Sequence, residues 1–232
     1  MKGIVLAGGT GSRLYPLTKV TNKHLLPVGK KPMVFYPIEA LVNFGIKDII
    51  IVCGTDHIGD MIGCLGSGRE FGCQFTYKVQ DEAGGIAQAL GLCESCCEGH
   101  DVLVILGDNI FTKQIPFSKN SYAEIAVRFS KNPERFGVVV FDENGKVEKI
   151  VEKPKEYIGN MIVTGIYKYP KSVFEIVKTL KPSNRGELEI TDVNNAYIQK
   201  GELKYAELKG EWTDAGTFES LNIANKLVEG NK

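Results

Sequence analysis

The chain has 232 residues, and its 28 lysines and arginines balance 28 aspartates and glutamates. This balance argues against a nucleic acid as the main partner, although it leaves room for a local basic pocket that binds a small phosphate. No apolar run approaches the roughly 20 residues that span a membrane, and Met1 leads into an apolar strand without a signal peptide. We therefore expect a cytoplasmic protein without membrane contact, long enough for one α/β domain.

The first half of the chain alternates apolar strand patterns with helical patterns. Strands that are apolar along most of their length predict a parallel sheet covered by helices on both faces. In such sheets, ligands bind beyond the carboxyl ends of the strands. The predicted strands are 3–7, 47–53, 75–80 and 102–106, and the predicted helices are 37–44 and 85–93.

The second half is richer in strand patterns. Residues 142–145 predict a hairpin turn between two of these strands. Because no repeat, linker or low-complexity tract interrupts the chain, the sequence predicts one mixed α/β domain over residues 1–232. The predicted strands are 124–129, 137–141, 146–152, 161–169 and 203–208, and the predicted helices are 172–180, 189–200 and 218–228.

Six cysteines raise the question of a metal site. Cys93 and Cys96 have the spacing of a ligand pair, but no second pair follows at a zinc-ribbon distance. A reduced, structural role is therefore the favoured interpretation, with a metal site as the alternative.

A glycine cluster follows the first strand, where backbone N–H groups can wrap a phosphate. Gly8, Gly9 and Gly11 lack the third glycine of the dinucleotide fingerprint, which disfavours an oxidoreductase, and no Lys-Ser/Thr follows them as in a P-loop. The cation of the stretch is Arg13, whose planar guanidinium can grip phosphate oxygens. The alternative is a tight turn with a surface arginine.

Two aspartates and a lysine could complete a phosphate site. Asp108 follows the strand 102–106, where its carboxylate would suit Mg²⁺, although it could instead cap the next helix or turn. Asp214 is weak evidence alone, but with Asp108 it would make a two-aspartate Mg²⁺ site. Lys23 precedes an apolar pair and a proline, and could be held near the phosphates.

Two further charged clusters are candidates. Glu152 and Lys153 stand side by side at the end of a strand, so their side chains point to opposite faces unless Pro154 bends the chain. Arg185 lies at the start of a helix with an apolar stripe. A solvated helix start would look similar, so both interpretations stay open there.

Taken in series, these clusters resemble one family, the sugar nucleotidyltransferases. The resemblance runs from residue 1 to about residue 225, and its motifs keep their order. The motifs are LAGGTGSRLYPLT, KHLLPVGKKPM, YKVQDEAGGIAQAL, LGDNIF, PERFGVVVFD, VEKP, VTGIYKY, RGELEITDVN and WTDAGT.

The resemblance implies a Rossmann-like three-layer α/β sandwich, the nucleotide-diphospho-sugar transferase fold, with a mostly parallel central sheet and an added strand-rich sugar-binding part. Residues 1–110 would mainly bind the nucleotide and residues 111–225 mainly the sugar phosphate. The implied reaction joins dTTP and glucose 1-phosphate to give dTDP-glucose and pyrophosphate, by in-line attack on the α-phosphorus with Mg²⁺ as cofactor. Such a transfer depends mostly on positioning and on neutralising phosphate charge.

The resemblance also implies a role for each matching residue. Arg13, Lys23 and Asp108 match catalytic residues, and Asp108 and Asp214 match the Mg²⁺ ligands. Among the nucleotide-binding positions, Gln80 and Gly85 would contact the pyrimidine. The full set is Leu6, Gly8, Gly9, Gly11, Arg13, Gln80, Gly85 and Asp108. The sugar-phosphate-binding positions are Asn109, Gly137, Glu152, Lys153, Val163, Tyr167 and Arg185.

The chain departs from the family pattern at three positions and in length. His24 stands where glutamine is common, Phe136 where tyrosine is common, and Ala215 where threonine is common. Long members have a further helical C-terminal part, tied to oligomer contacts and a regulatory nucleotide site. We therefore expect weak or absent feedback by dTDP-rhamnose, the product of the pathway in which these enzymes act, and leave a homo-oligomer open.

Three functions stay open on the sequence. The first is dTDP-glucose synthesis. The second is the same chemistry with UTP or another sugar 1-phosphate, because Gln80 would read features that uracil and thymine share. The third is a non-catalytic nucleotide-sugar sensor, which the loss of Arg13, Lys23 or either aspartate would favour, and all four residues are present.

Overall fold

A nine-stranded mixed sheet forms the centre of the computed structural model, which describes residues 1–118, 120 and 122–230. The strands in chain order are β1 (Lys2–Ala7), β2 (Pro27–Val28), β3 (Lys31–Pro32), β4 (Asp48–Gly54), β5 (Gln74–Gln80), β6 (Val102–Leu106), β7 (Asn109–Phe111), β8 (Ala123–Phe129), β9 (Gly137–Phe141), β10 (Val147–Glu152), β11 (Met161–Tyr169), β12 (Leu203–Glu207) and β13 (Trp212–Asp214). The helices are α1 (Phe35–Asn43), α2 (Ile58–Leu65), α3 (Ile86–Gly91), α4 (Glu94–Cys97), α5 (Val173–Thr179), α6 (Ile190–Gln199) and α7 (Phe218–Glu229).

The first half of the chain builds four adjacent parallel strands in the order β5–β4–β1–β6. In their middle, Leu6 of β1 lies between Val52 of β4 and Leu106 of β6. Because the strands are parallel, their carboxyl ends share one edge, from which the glycine loop, Gln80 and the Asp108 turn emerge. This is the edge at which open α/β sheets bind ligands.

Alternate side chains of β1 face two separate apolar cores. Ile4 and Leu6 pack with residues of α3, α5 and α6. Val5 and Ala7 pack on the opposite face with residues of α1 and α2. Strands covered on both faces need the near-continuous apolar runs seen in the sequence, and the predicted three-layer α/β sandwich is confirmed.

Strand β11 joins the second half of the sheet to the first. It runs antiparallel to β6 through residues 166–169, and its other edge pairs with β8. Beyond these, β9 meets the start of β11, β10 forms a hairpin with β9, and β12 lies parallel to β8. The strands of the second half thus extend the parallel sheet into a mixed sheet, through antiparallel pairs and the one parallel pair of β8 and β12. The division into a nucleotide half and a sugar-phosphate half remains a prediction.

A short ribbon and the last helix fix the chain near the sheet edge. Strand β13 pairs antiparallel with β7, which sets Asp214 opposite Asn109. Helix α7 begins with a capping box formed by Thr217 and Ser220. Its Ala224 belongs to a third apolar cluster that includes Leu14 and Ala215, so α7 holds the end of β13 beside the glycine loop.

Some elements differ from the sequence prediction for local reasons. The sequence does not predict α2, because Gly59 and Gly63 weaken the helical pattern. The helix predicted at 85–93 begins after Gly85, whose φ of 100° is not helical, and ends at Gly91, and a separate short helix, α4, follows it. Within the described residues, no helix combines the length and apolar character needed to cross a membrane.

Candidate active site

Two adjoining cavities open at the carboxyl edge of the parallel strands. The loop cavity, of about 240 Å³, lies against the glycine loop, and the strand cavity, of about 200 Å³, lies against β9 to β11 and α6. Asp108 lines both cavities, together with Ile86, Leu106 and Glu187. The two spaces therefore meet beside one buried carboxylate.

The predicted site residues fall into these two cavities almost as the resemblance groups them. All predicted nucleotide-binding residues line the loop cavity except Gly11, which precedes a short 3-10 helix, and Arg13, which lines the strand cavity. The predicted sugar-phosphate residues and Asp214 line the strand cavity. Of the predicted residues, those that line the loop cavity are Leu6, Gly8, Gly9, Lys23, Gln80, Gly85 and Asp108, and those that line the strand cavity are Arg13, Asp108, Asn109, Gly137, Glu152, Lys153, Val163, Tyr167, Arg185 and Asp214.

The glycine loop packs closely against its neighbours, which fill the positions that side chains at Gly9 and Gly11 would occupy. Gly11 has a φ of 65°, and a Cβ there would lie 2.7 Å from Thr18 Cγ2. The Gly11 carbonyl accepts hydrogen bonds from the Thr18 hydroxyl and the Leu14 amide. A Cβ on Gly9 would lie 3.4 Å from Lys23 Cε, so the loop lies against the Lys23 side chain.

Lys23 and Asp108 form an ion pair at the junction of the cavities. Lys23 Nζ lies 2.5 Å from Asp108 Oδ2, and each side chain is 12% exposed. Burial alone would raise the pKa of Asp108, but the charge of Lys23 and hydrogen bonds from Lys23 and Asn109 hold it well below its usual range. Asp108 is therefore ionised at neutral pH, as a carboxylate ligand of Mg²⁺ must be.

His24 lies beside this pair as a buried neutral side chain. Asn22 Oδ1 accepts from the His24 amide at 2.9 Å and lies 2.7 Å from His24 Nδ1, which fixes the short turn that carries Lys23. Burial and the neighbouring Lys23 charge lower the pKa of His24 to about 3. The departure from the family's glutamine thus adds no charge to the loop cavity at neutral pH.

Gln80 and Gly85 both line the loop cavity. Gln80 ends β5 and is 7% exposed, and its Nε2 donates to Gln88 Oε1 at 2.6 Å. Gly85 needs its left-handed φ of 100°, and a Cβ there would lie 2.5 Å from the Leu188 carbonyl oxygen. Hydrogen bonds from Leu188 N to Gly84 O and from Ala87 N to Leu188 O join this turn to the segment before α6.

Asp214 reaches the same junction from the other end of the chain. The Ala215 amide donates to the Asp108 carbonyl at 2.8 Å, continuing the β7–β13 pairing. A Cβ on Gly216 would lie 3.0 Å from Arg13 Nη2, 3.3 Å from Asp214 Oδ2 and 3.5 Å from Asp108 Oδ2. The two predicted metal ligands and Arg13 therefore surround one point.

An arginine that the sequence analysis did not single out holds Asp214. Arg135 Nη2 donates to Asp214 Oδ2 at 2.9 Å and to Oδ1 at 3.3 Å. Burial raises the pKa of Asp214 to about 6, against the opposing effect of Arg135. Arg135 lies within the PERFGVVVFD motif, but its partner is 79 positions away and nothing in the local pattern connects them.

Glu152 and Lys153 both line the strand cavity, contrary to the alternation of an extended strand. Strand β10 ends at Glu152, and Lys153 has a left-handed φ of 42°, so the chain bends before Pro154. Glu152 Oε2 accepts from Thr191 Oγ1 at 2.6 Å, and Arg185 Nη2 lies 3.6 Å from Glu152 Oε1. Thr191 is a second lining residue that the sequence analysis missed, although it lies within the RGELEITDVN motif.

Arg185 is oriented within the strand cavity by carboxylates. Its Nη2 lies 2.7 Å from Glu189 Oε2 and 3.4 Å from Glu187 Oε2. These pairs orient the guanidinium before the start of α6, although the Arg185 side chain is still 38% exposed. Asn109, 1% exposed, accepts from Trp212 Nε1 at 2.7 Å and from the Gly165 amide at 3.0 Å, so its amide ties three strands together at the cavity wall.

Cys93 and Cys97 lie in the apolar core between the sheet and its helices, and Cys96 packs partly buried against it. Burial raises the pKa of Cys97 to about 12 and raises the pKa of Cys93 as well, so both thiols stay protonated and pack as small apolar groups. Among residues 1–118, 120 and 122–230, no group of three or more His, Cys, Asp or Glu side chains has the arrangement of a metal site.

The junction of the cavities combines two carboxylates with Lys23, Arg13 and Arg135 at the ligand edge of a parallel sheet. Fixed cations and carboxylates in such a place suit the handling of phosphate esters, whose charge must be neutralised. The fold and the site together define an α/β enzyme of phosphate chemistry.

Comparison with known proteins gives the family. The chain belongs to the Nucleotidyl transferase family, whose sequence profile matches residues 2–231. A glucose-1-phosphate thymidylyltransferase of Neisseria meningitidis serogroup A is 41% identical over 99% of this chain and 83% of its own length. The predicted membership of the sugar nucleotidyltransferases is therefore confirmed.

Solved structures agree on the fold. A Bacillus anthracis protein assigned as a glucose-1-phosphate thymidylyltransferase, crystallised in complex with sucrose, is 55% identical with a TM-score of 0.93, covering 98% of this chain and 94% of its own. A UDP-glucose pyrophosphorylase complexed with UDP-glucose is 23% identical with a TM-score of 0.85, covering 100% of this chain and 99% of its own. At that identity, the second likeness shows the nucleotide-diphospho-sugar transferase fold alone.

Proposed function

We propose that this protein is a glucose-1-phosphate thymidylyltransferase, which makes dTDP-glucose and pyrophosphate from dTTP and glucose 1-phosphate. The observation that carries the proposal is that Asp108 lines both cavities. A nucleotide in the loop cavity and a sugar phosphate in the strand cavity would meet beside that carboxylate. The 41% identity to a relative of that name, over nearly the whole chain, supports the same reaction.

The transfer needs two phosphates in line. An oxygen of the sugar phosphate attacks the α-phosphorus of dTTP, the bond from that phosphorus to the bridging oxygen breaks, and pyrophosphate leaves with the electron pair. There is little further covalent chemistry for side chains to perform, so the protein contributes position and charge. Arg13, beside the glycine loop and within the strand cavity, would bind the triphosphate and stabilise the departing pyrophosphate.

Mg²⁺ fits the carboxylates at the junction. This ion is commonly held by one or two carboxylates together with substrate phosphates and water, so Asp108 and Asp214 would be sufficient protein ligands. Both have an oxygen within 3.5 Å of the Cβ position of Gly216. When bound, the ion would neutralise charge on the phosphates. Lys23, held by Asp108, would supply a fixed cation to the same phosphates.

The remaining predicted roles follow the lining of each cavity. Gln80 would face the base and Gly85 would bring its backbone against it in the loop cavity. Lys153 and Arg185 would bind the phosphate of glucose 1-phosphate in the strand cavity, while Glu152 would accept from a sugar hydroxyl. A non-catalytic sensor is disfavoured, because the charged residues that the chemistry needs lie together at one junction.

A substrate panel tests this function. Pyrophosphate release with Mg²⁺ is measured for dTTP, UTP, dCTP and dATP, each with glucose, galactose or mannose 1-phosphate. We expect dTTP with glucose 1-phosphate to give the highest kcat/KM. If kcat/KM were higher with UTP than with dTTP, the nucleotide substrate would be UTP and the reaction would be the same. If no pair released pyrophosphate, the proposal would be overturned.

A further inference from the structure

The hydrogen bond between Gln80 and Gln88 bears on which base the loop cavity accepts. Gln80 Nε2 donates to Gln88 Oε1 at 2.6 Å. The Gln80 amide oxygen lies on the opposite side, 2.1 Å from the position that a Cβ on Gly8 would take. The Gln80 amide thus has its oxygen next to Gly8 of the glycine loop, while one of its two N–H groups donates to Gln88.

The direction of this amide decides what it can recognise. A glutamine amide carries an acceptor and a donor side by side. Thymine and uracil present an N3–H donor beside a carbonyl acceptor, whereas cytosine presents an N3 acceptor beside an amino donor. An amide that is free to turn over by 180° can pair with either pattern. It distinguishes them if its nitrogen and oxygen are fixed in place.

Gln88 is placed to fix that direction. It is the third residue of the six-residue helix α3 and is half-buried, and the described residues that line the loop cavity include Gln80 but not Gln88. A Cβ on Gly84 would lie 3.0 Å from Gln88 Cδ, so the glycine at position 84 gives the Gln88 side chain the room to reach Gln80. Gln88 therefore contacts the base-facing amide from outside the cavity.

We infer that Gln88 is a positioning residue for base selection: by accepting from Gln80 Nε2, it turns the Gln80 amide oxygen toward an N3–H group and selects thymine or uracil nucleotides over cytosine nucleotides. This inference rests on the proposed function, because it assigns the loop cavity to the nucleotide. Gln88 acts through Gln80 and contributes to the preference for the base.

Three variants of the full-length protein test the inference. In each, kcat/KM is measured for dTTP and for dCTP with glucose 1-phosphate, and Kd for both nucleotides by calorimetry. Gln88→Glu has a side chain that only accepts, so it keeps the observed direction. Gln88→Lys only donates and favours the reversed direction, and Gln88→Met does neither. Gln199→Met, at the exposed end of α6, is the matched control.

We expect the preference for dTTP over dCTP to stay within about twofold of wild type in Gln88→Glu and to fall by about tenfold or more in Gln88→Met and Gln88→Lys, as expected for the loss or reversal of one buried hydrogen bond. Equal preferences in Gln88→Glu and Gln88→Lys would overturn the inference, even if Gln88→Met failed to fold. If wild-type protein formed no nucleotide sugar, the proposed function itself would fail. If wild type were active and the preference for dTTP over dCTP were unchanged in all three variants, the role of Gln88 would be refuted and the proposed function would stand.

Discussion

Lys23 Nζ lies 2.5 Å from Asp108 Oδ2, although the two residues are 85 positions apart. The lysine comes from the turn after the glycine loop and the aspartate from the end of β6, so the parallel sheet brings them to one edge. Both side chains are largely buried, which makes this the pair that fixes charge at the junction of the two cavities. The pair connects the loop that would hold the triphosphate to the carboxylate that would hold the metal.

Asp108→Asn should reduce kcat by about 100-fold or more, because it removes a charge that acts on the transferring phosphate. The amide keeps the shape of the carboxyl group but leaves the buried Lys23 charge without its partner, so the Tm should also fall while the fold is retained. Steady-state kinetics and thermal unfolding measure both effects. Asp56→Asn, an exposed aspartate after β4, is the control and should leave kcat unchanged. A variant at position 108 with nearly wild-type kcat would refute the metal-ligand assignment.

Arg135→Gln should lower kcat/KM for glucose 1-phosphate by about tenfold or more, because Asp214 loses its charged hydrogen-bond partner. The Mg²⁺ concentration that gives half-maximal rate should rise in the same variant. Arg128→Gln removes a guanidinium that pairs with the exposed Glu211 and serves as the matched control. Equal kinetics in the two variants would show that Arg135 has no part in the site.

Gly8→Ala should raise the KM for dTTP by about tenfold or more, because its Cβ would displace the Gln80 amide oxygen from the loop cavity. Gly63→Ala, in α2, adds a Cβ with no heavy atom within 4 Å and serves as the control. It should leave the KM unchanged. An unchanged KM in Gly8→Ala would argue against the contact between the loop and Gln80 in solution.

His24→Gln should weaken the loss of stability at acid pH. The pKa of His24 falls from 6.5 to about 3 on folding, so below pH 6.5 the unfolded chain takes up a proton that the native protein does not. The free energy of unfolding is therefore not reduced by His24 above pH 6.5. As the pH falls from 6.5 toward 3 it declines, by about 1.4 kcal/mol at pH 5.5. Urea unfolding at pH 7.5 and 5.5 measures the difference. His100→Gln, at an exposed position, is the control and should lose as much unfolding free energy between pH 7.5 and 5.5 as wild type does. If His24→Gln lost the same amount as wild type, His24 would not be a buried neutral side chain.

The sequence predicts the parallel strands because each is a nearly continuous apolar run. It predicts the lining residues because they lie in motifs at strand ends, such as Gln80 after β5 and Asp108 after β6. It does not predict the Arg135–Asp214 pair, which depends on two three-residue strands, β7 and β13, meeting across the chain. It leaves the bend that turns Lys153 into the cavity as an alternative, because Pro154 signals a bend but the left-handed φ at lysine has no local signal of its own.

In the proposed reaction, a nucleotide and a sugar phosphate meet at Asp108, where the two cavities join. The most direct test is ³¹P NMR of dTTP and glucose 1-phosphate incubated with the protein and Mg²⁺. We predict that dTDP-glucose and pyrophosphate appear in equal amounts, and that Asp108→Asn protein forms neither at a comparable rate. Unchanged substrates, or hydrolysis of dTTP without a nucleotide sugar, would show that the two cavities do not carry out nucleotidyl transfer to glucose 1-phosphate.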